Sequence, residues 1–140
     1  MNQEEYEKRA AEAVARKQSG KFNCAQAVTT SFADAAGLDP ELAMRLAASF
    51  GTGMGCLKGT CGAIVGAGII TGLVSSDRME AMRRMKTFME AFHTKNGSTI
   101  CQDLKGVGTG KPLRPCLDCV ADACELLYRV SLDSSEPATK

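Results

Sequence analysis

The stretch Cys61-Gly-Ala-Ile-Val-Gly-Ala-Gly-Ile-Ile-Thr-Gly-Leu-Val74 decides the fold class, because it is the most apolar run of the chain and carries no strand-like alternation. Its length and flanks predict a helix. At about a dozen apolar residues it is shorter than the roughly 20 needed to span a bilayer, so it is expected in a protein core and no membrane span is expected. Gly62/Gly66 and Gly68/Gly72 are each four apart, forming ridges on which another helix can approach closely. This segment is the expected central helix.

Helical signals continue on both sides. Upstream, Tyr6, Ala10 and Val14 recur every fourth residue between Gln3 and Lys17, and Gly20 stops the pattern. Asn23 with Gln26 reads as a capping box before an apolar face of Ala25, Val28, Phe32 and Ala36, ended by Gly37. Asp39-Pro40-Glu41 opens a third helix running to Phe50. Downstream, Met79, Met82, Met85, Phe88, Met89 and Phe92 keep a helical period that stops at Asn96-Gly97, and Ser98 caps a short helix through Cys101 and Leu104 to Gly106. A last helix is predicted from Cys116 to about Leu132, after a mobile stretch from Val107 to Pro115. The expectation is an all-α, compact single-domain bundle of about six or seven helices around the glycine-rich central one. Residues 1–132 make that domain and 133–140 a disordered tail.

Composition narrows the function classes. With 140 residues the chain can bury roughly two thirds of its unfolded surface in one core. Its 17 Lys+Arg balance 16 Asp+Glu, which removes the electrostatic argument for a nucleic-acid partner. One histidine cannot assemble a Ser/His/Asp hydrolase. Gly51 to Gly59 lacks the preceding strand and the Gly-Lys-Ser/Thr ending of a phosphate loop. Met1-Asn2-Gln3-Glu4-Glu5 opens with acid and no apolar run follows, so a cytoplasmic location is expected. There an odd count of seven cysteines argues against a disulfide framework.

Position separates the cysteines. Cys24, Cys61, Cys101 and Cys116 each fall in the first turn of a predicted helix, where unpaired N–H groups and the positive end of the dipole favour thiolate. Two redox chemistries fit. In one, an activated thiol attacks and a neighbour resolves, with Cys116-x2-Cys119 as the best local dithiol and Cys61, Cys116 and Cys119 as the candidate catalytic residues. In the other, Cys61, Cys101, Cys116 and either Cys24 or Cys119 are metal ligands to an iron–sulfur cluster or zinc, with Cys24, Cys61, Cys101 and Cys116 the candidate set. Gly53 and Gly55 of the loop, with Gly62 at the head of the next helix, are the candidate cofactor-binding positions. A redox partner is implied. Cys124, about 80° round its helix from Cys116, is expected to pack. The alternative is a helical interaction or scaffold protein whose cysteines merely pack, with a homodimer through the methionine stripe.

Five segments together carry a resemblance. Asn23-Cys24-Ala25-Gln26-Ala27-Val28, the loop Phe50-Gly51-Thr52-Gly53-Met54-Gly55, Cys61-Gly62-Ala63-Ile64-Val65-Gly66, Ser98 to Cys101 with Leu104, and Cys116-x3-Val120-x2-Ala123-x-Glu125 resemble the C_GCAxxG_C_C family of redox-active proteins over most of the chain. The resemblance implies that Cys24, Cys61, Cys101 and Cys116 are the shared cysteines and that the role is redox or metal-cofactor chemistry. A related domain accompanies haem in split-Soret cytochromes. Here Cys119 is followed by Val120, so the Cys-x-x-Cys-His of covalent haem attachment is absent. The family label places Gly before Cys, whereas this chain reads Cys-Gly-Ala.

Overall fold

A computed structural model describes residues 1–134. Among them are seven α-helices and no strand: α1 (Gln3–Gln18), α2 (Cys24–Phe32), α3 (Pro40–Ala47), α4 (Gly62–Val74), α5 (Arg78–Asn96), α6 (Cys101–Lys105) and α7 (Cys116–Leu127). The all-α class holds. A 3₁₀ turn, Asp34–Ala36, follows α2, and α7 runs on into a π turn at Tyr128–Leu132. The helix ends obey side-chain chemistry legible in the chain. Asn23 Oδ1 accepts from Gln26 N at 2.8 Å while Gln26 Oε1 accepts from Asn23 N at 3.0 Å, a complete capping box. Asp39 and Asp77 cap α3 and α5 by their side chains alone, accepting from Leu42 N and Glu80 N. Ser98 is not the cap of α6; Ile100 holds that position, and Ser98 Oγ instead accepts from Ile100 N and donates to Asp103.

The core forms where α2 and α4 cross, flanked by α1, α3, α5 and α7. Centrality is therefore shared between α2 and α4 rather than held by α4 alone. Only one glycine pair makes the close approach. A Cβ on Gly66 would lie 2.7 Å from Ala25 O, so no side chain fits between the helices there. Gly72 faces open space, and Gly68 meets only the end of Met85. Phe32, Phe88, Phe92, Ile64, Ile70 and Leu127 fill the interior, and the Tyr6 ring stacks on Tyr128 with centroids 4.7 Å apart.

The methionine stripe divides. Met85 and Met89 pack against the core, but Met79 and Met82 are exposed at the start of α5. Asp133 and Ser134 are tied back by hydrogen bonds to Tyr128 O and Met1 O. The expected disorder of 135–140 lies outside the described residues.

The expected loop from Gly51 is an ordered left-handed turn. Thr52, Gly53, Met54 and Gly55 have φ of 52°, 58°, 63° and 79°, and Leu57 follows at 68°. Left-handed backbone costs a residue with a Cβ about 1–2 kcal/mol, and three residues here carry that cost. Backbone bonds from Gly55 N to Gly51 O, Leu57 N to Thr52 O and Gly59 N to Gly53 O hold the turn against it.

Candidate functional site

Five cysteines from five places in the chain line one cavity: Cys24, Cys61, Cys101, Cys116 and Cys119, together with Leu104, Lys105 and Arg114. Local chemistry explains each placement. Cys24, Cys101 and Cys116 are the first residues of α2, α6 and α7; Cys61 is one step earlier, as the N-cap of α4; Cys119 lies one turn into α7. The two loops that carry Cys61 and Cys101 are laced together. Cys61 N donates to Thr99 O at 2.8 Å and Cys101 N to Gly59 O at 3.0 Å, around an isolated antiparallel bridge between Thr60 and Ile100.

Glycine makes the convergence possible. On Gly62 a Cβ would collide with Cys24 Sγ and lie 2.8 Å from Phe50 O. On Gly53 it would lie 2.5 Å from the Cβ of Cys101. Gly53 and Gly62, expected to admit a cofactor, are occupied at close range by cysteine side chains. A Cβ on Gly55 would meet nothing within 4 Å.

All seven cysteines are free thiols, and their surroundings divide them. The Cys116 thiol, donating to Cys24, is the main cause that brings Cys24 down to about 5; burial opposes it, while the backbone N–H groups of Thr52 and Ala25 and the charge of Lys17 assist. The left-handed turn thus supplies a donor that no motif announces. Cys116 moves the other way, held protonated by Cys24 and by burial. Cys61 is lowered by the Cys119 thiol, against burial and the repulsion of Cys24, with smaller help from the N–H groups of Ala63 and Ile64. Cys119 is raised by Cys61 and by burial. Its proton has a second, weaker acceptor in Arg114 O at 3.9 Å. These shifts group four of the thiols as Cys24/Cys116 and Cys61/Cys119, with Cys24 and Cys61 the more acidic members.

These pairings run between helices, whereas the expected dithiol of Cys116 and Cys119 lies within α7, and both its members line the cavity. Cys101 is raised by burial and stays a thiol. Cys124 is fully buried in the core with its pKa pushed up to about 12 by burial, and Cys56 is exposed with its thiol toward Gly53 O. Although the four cysteines expected to bind a metal all reach the cavity, no group of three or more His, Cys, Asp or Glu side chains among the described residues stands where it could hold a metal ion.

A buried carboxylate braces the wall. Asp122, on α7, accepts from Arg114 Nε at 3.0 Å and from its second nitrogen at 3.1 Å, from Lys95 Nζ at 2.8 Å and from Asn96 Nδ2 at 3.2 Å. Burial works against its charge, but these donors hold its carboxyl below the usual range. Arg114 in turn lines the cavity just before Cys116. The sequence contains one signal for this anchor, an acid set between Ala121 and Ala123 on a helix whose neighbours are apolar.

The bundle thus gathers five cysteines around one cavity. The chain belongs to the C_GCAxxG_C_C family: residues 22–130 match that family, described as "Putative redox-active protein". No curated protein and no solved structure gave a match. No helix among the described residues is long and apolar enough to cross a membrane.

Proposed function

We propose that the chain is a cytoplasmic thiol–disulfide redox protein whose working couple is Cys24 and Cys116. The observation that carries the reading is the gathering of five cysteines around one cavity, with Cys116 the least buried of them. Thiol–disulfide exchange needs a thiolate to attack and a second thiol to resolve. Here the Cys116 thiol passes its proton to Cys24 and attacks one sulfur of a disulfide RSSR, giving a Cys116–SR mixed disulfide and RS⁻. Cys24 then gives that proton to the released RS⁻ and attacks Cys116 Sγ, which releases the second RS⁻. Two electrons have moved from the protein to RSSR. Cys61 and Cys119 form a second pair of the same kind.

Anaerobically reduced protein treated with a dialkyl disulfide and mapped by mass spectrometry tests this. The expected product is a Cys24–Cys116 disulfide. An unchanged count of seven thiols overturns the reading.

A second reading is favoured by the number of thiols around the cavity: Cys24, Cys61, Cys101 and Cys116 as ligands to an iron–sulfur cluster or zinc, after the sulfurs draw together. Metal analysis and a visible spectrum of anaerobically purified protein decide between the two, since stoichiometric bound metal selects the second.

A further inference from the structure

Access to the five thiols is unequal. Cys116 is half-buried, whereas Cys24, Cys61, Cys101 and Cys119 are 5%, 5%, 4% and 2% exposed. The accessible space between them is only about 10 Å³. That is one water at most. A dialkyl disulfide, with two sulfurs and their carbon substituents, reaches Cys116 from solvent and does not reach Cys61 or Cys119.

The two couples nevertheless line one cavity. Cys24 Sγ lies against the Cα of Gly62, the residue next to Cys61, and Cys116 and Cys119 are one turn apart on α7. Resting on the dithiol reading above, we propose that Cys61 and Cys119 are an enclosed second redox couple, oxidised only by exchange with the Cys24–Cys116 disulfide.

The transfer balances without a further oxidant. The Cys61 thiolate attacks Cys24 Sγ of the Cys24–Cys116 disulfide, forming a Cys24–Cys61 bond and releasing Cys116 as thiolate. Cys119 gives its proton to that thiolate and attacks Cys61 Sγ, forming the Cys61–Cys119 bond and releasing Cys24 as thiolate. Cys24 and Cys116 return to their starting protonation, and the two oxidising equivalents sit on the enclosed couple. A second RSSR then reoxidises Cys24 and Cys116. The chain holds four electrons in two couples, and Cys101 stays a thiol throughout.

The test is a time course of the full-length reduced chain with excess glutathione disulfide, quenched with acid, alkylated and mapped. The relay requires two disulfide molecules consumed per chain, with Cys24–Cys116 formed before Cys61–Cys119. In Cys116→Ser the Cys61–Cys119 bond forms about tenfold slower or less, limited by opening of the fold. Cys61→Ser stops uptake at one molecule per chain while Cys24–Cys116 still forms. The wild-type order of appearance carries the test should either variant fail to fold. Cys61–Cys119 appearing first, or at the wild-type rate in Cys116→Ser, overturns the relay. Uptake that ends at Cys24–Cys116 in the wild type also overturns it and leaves the dithiol function standing. No uptake at all removes both.

Discussion

The sulfur of Cys24 occupies the space that a Cβ on Gly62 would fill. Cys24 starts α2 and Gly62 starts α4, so this contact is where the two central helices set the thiol site. Gly62→Ala must push Cys24 or the helix aside, against Phe50 O on the other flank, and should cost about 1–3 kcal/mol as overpacking does. Gly72→Ala, on the same helix with nothing within 4 Å, should stabilise by roughly 0.5–1 kcal/mol through helix propensity. Urea unfolding of the two variants reads the opposite signs.

Thr52 contributes through its backbone and is strained in doing so. A β-branched residue at φ 52° is a genuine outlier, and relieving it with glycine leaves the N–H in place. Thr52→Gly is expected to raise stability by about 1 kcal/mol, the left-handed penalty less the added chain freedom, while the Cys24 thiolate persists. Loss of the thiolate in that variant would show that the side chain, not the N–H, matters.

Thiolate absorbance near 240 nm should grow as pH rises through about 5, because Cys24 is lowered to that value and is charged above it. The Cys116 thiol is the first cause of that lowering. In Cys116→Ala burial is left with less to oppose it, so the midpoint should move upward and the absorbance at pH 6 should fall. An unmoved midpoint would mean that the helix start alone supports the thiolate.

Asp122 fixes Arg114, and Arg114 offers its carbonyl oxygen to Cys119. Removing the charge with Asp122→Asn should destabilise by about 1–3 kcal/mol, below the figure for a fully enclosed ion pair because Arg114 and Lys95 can turn to water. Hydrogen exchange should rise across Leu113 to Cys116, and Cys119 should alkylate faster. Unchanged exchange there would confine Asp122 to the α5–α7 contact.

The order of helices and the cysteines at their starts were legible because capping and periodicity are local. Asn23 with Gln26, and Asp39 with Pro40, act within one turn of themselves. The close approach at Gly66 rather than Gly72 was not legible, since both sit in identical spacing and only the crossing of α2 selects one. The same holds for thiol pairing. Cys116 and Cys119 are neighbours in the chain, yet each finds its partner across the cavity, on α2 and at the head of α4. The four glycines from Gly51 to Gly59 predict a loop able to take positive φ, but not that Thr52, Met54 and Leu57, residues that ordinarily avoid it, adopt that backbone too. Asp122 was hidden for a related reason: an acid in a helix is ordinary until the three donors around it are known.

Partners that meet across the cavity are remote along the chain, Cys24 and Cys116 being 92 residues apart. A bond between them closes a loop of about two thirds of the chain, and in the chain-entropy picture such a closure disfavours the unfolded state by roughly 4–5 kcal/mol. Oxidation and resistance to unfolding are then two views of one equilibrium. Every kcal/mol by which the closed loop favours the folded chain is a kcal/mol by which folding favours the disulfide over the two thiols. A substitution anywhere in the bundle that weakens the fold would shift the balance between protein and disulfide donor without touching a sulfur.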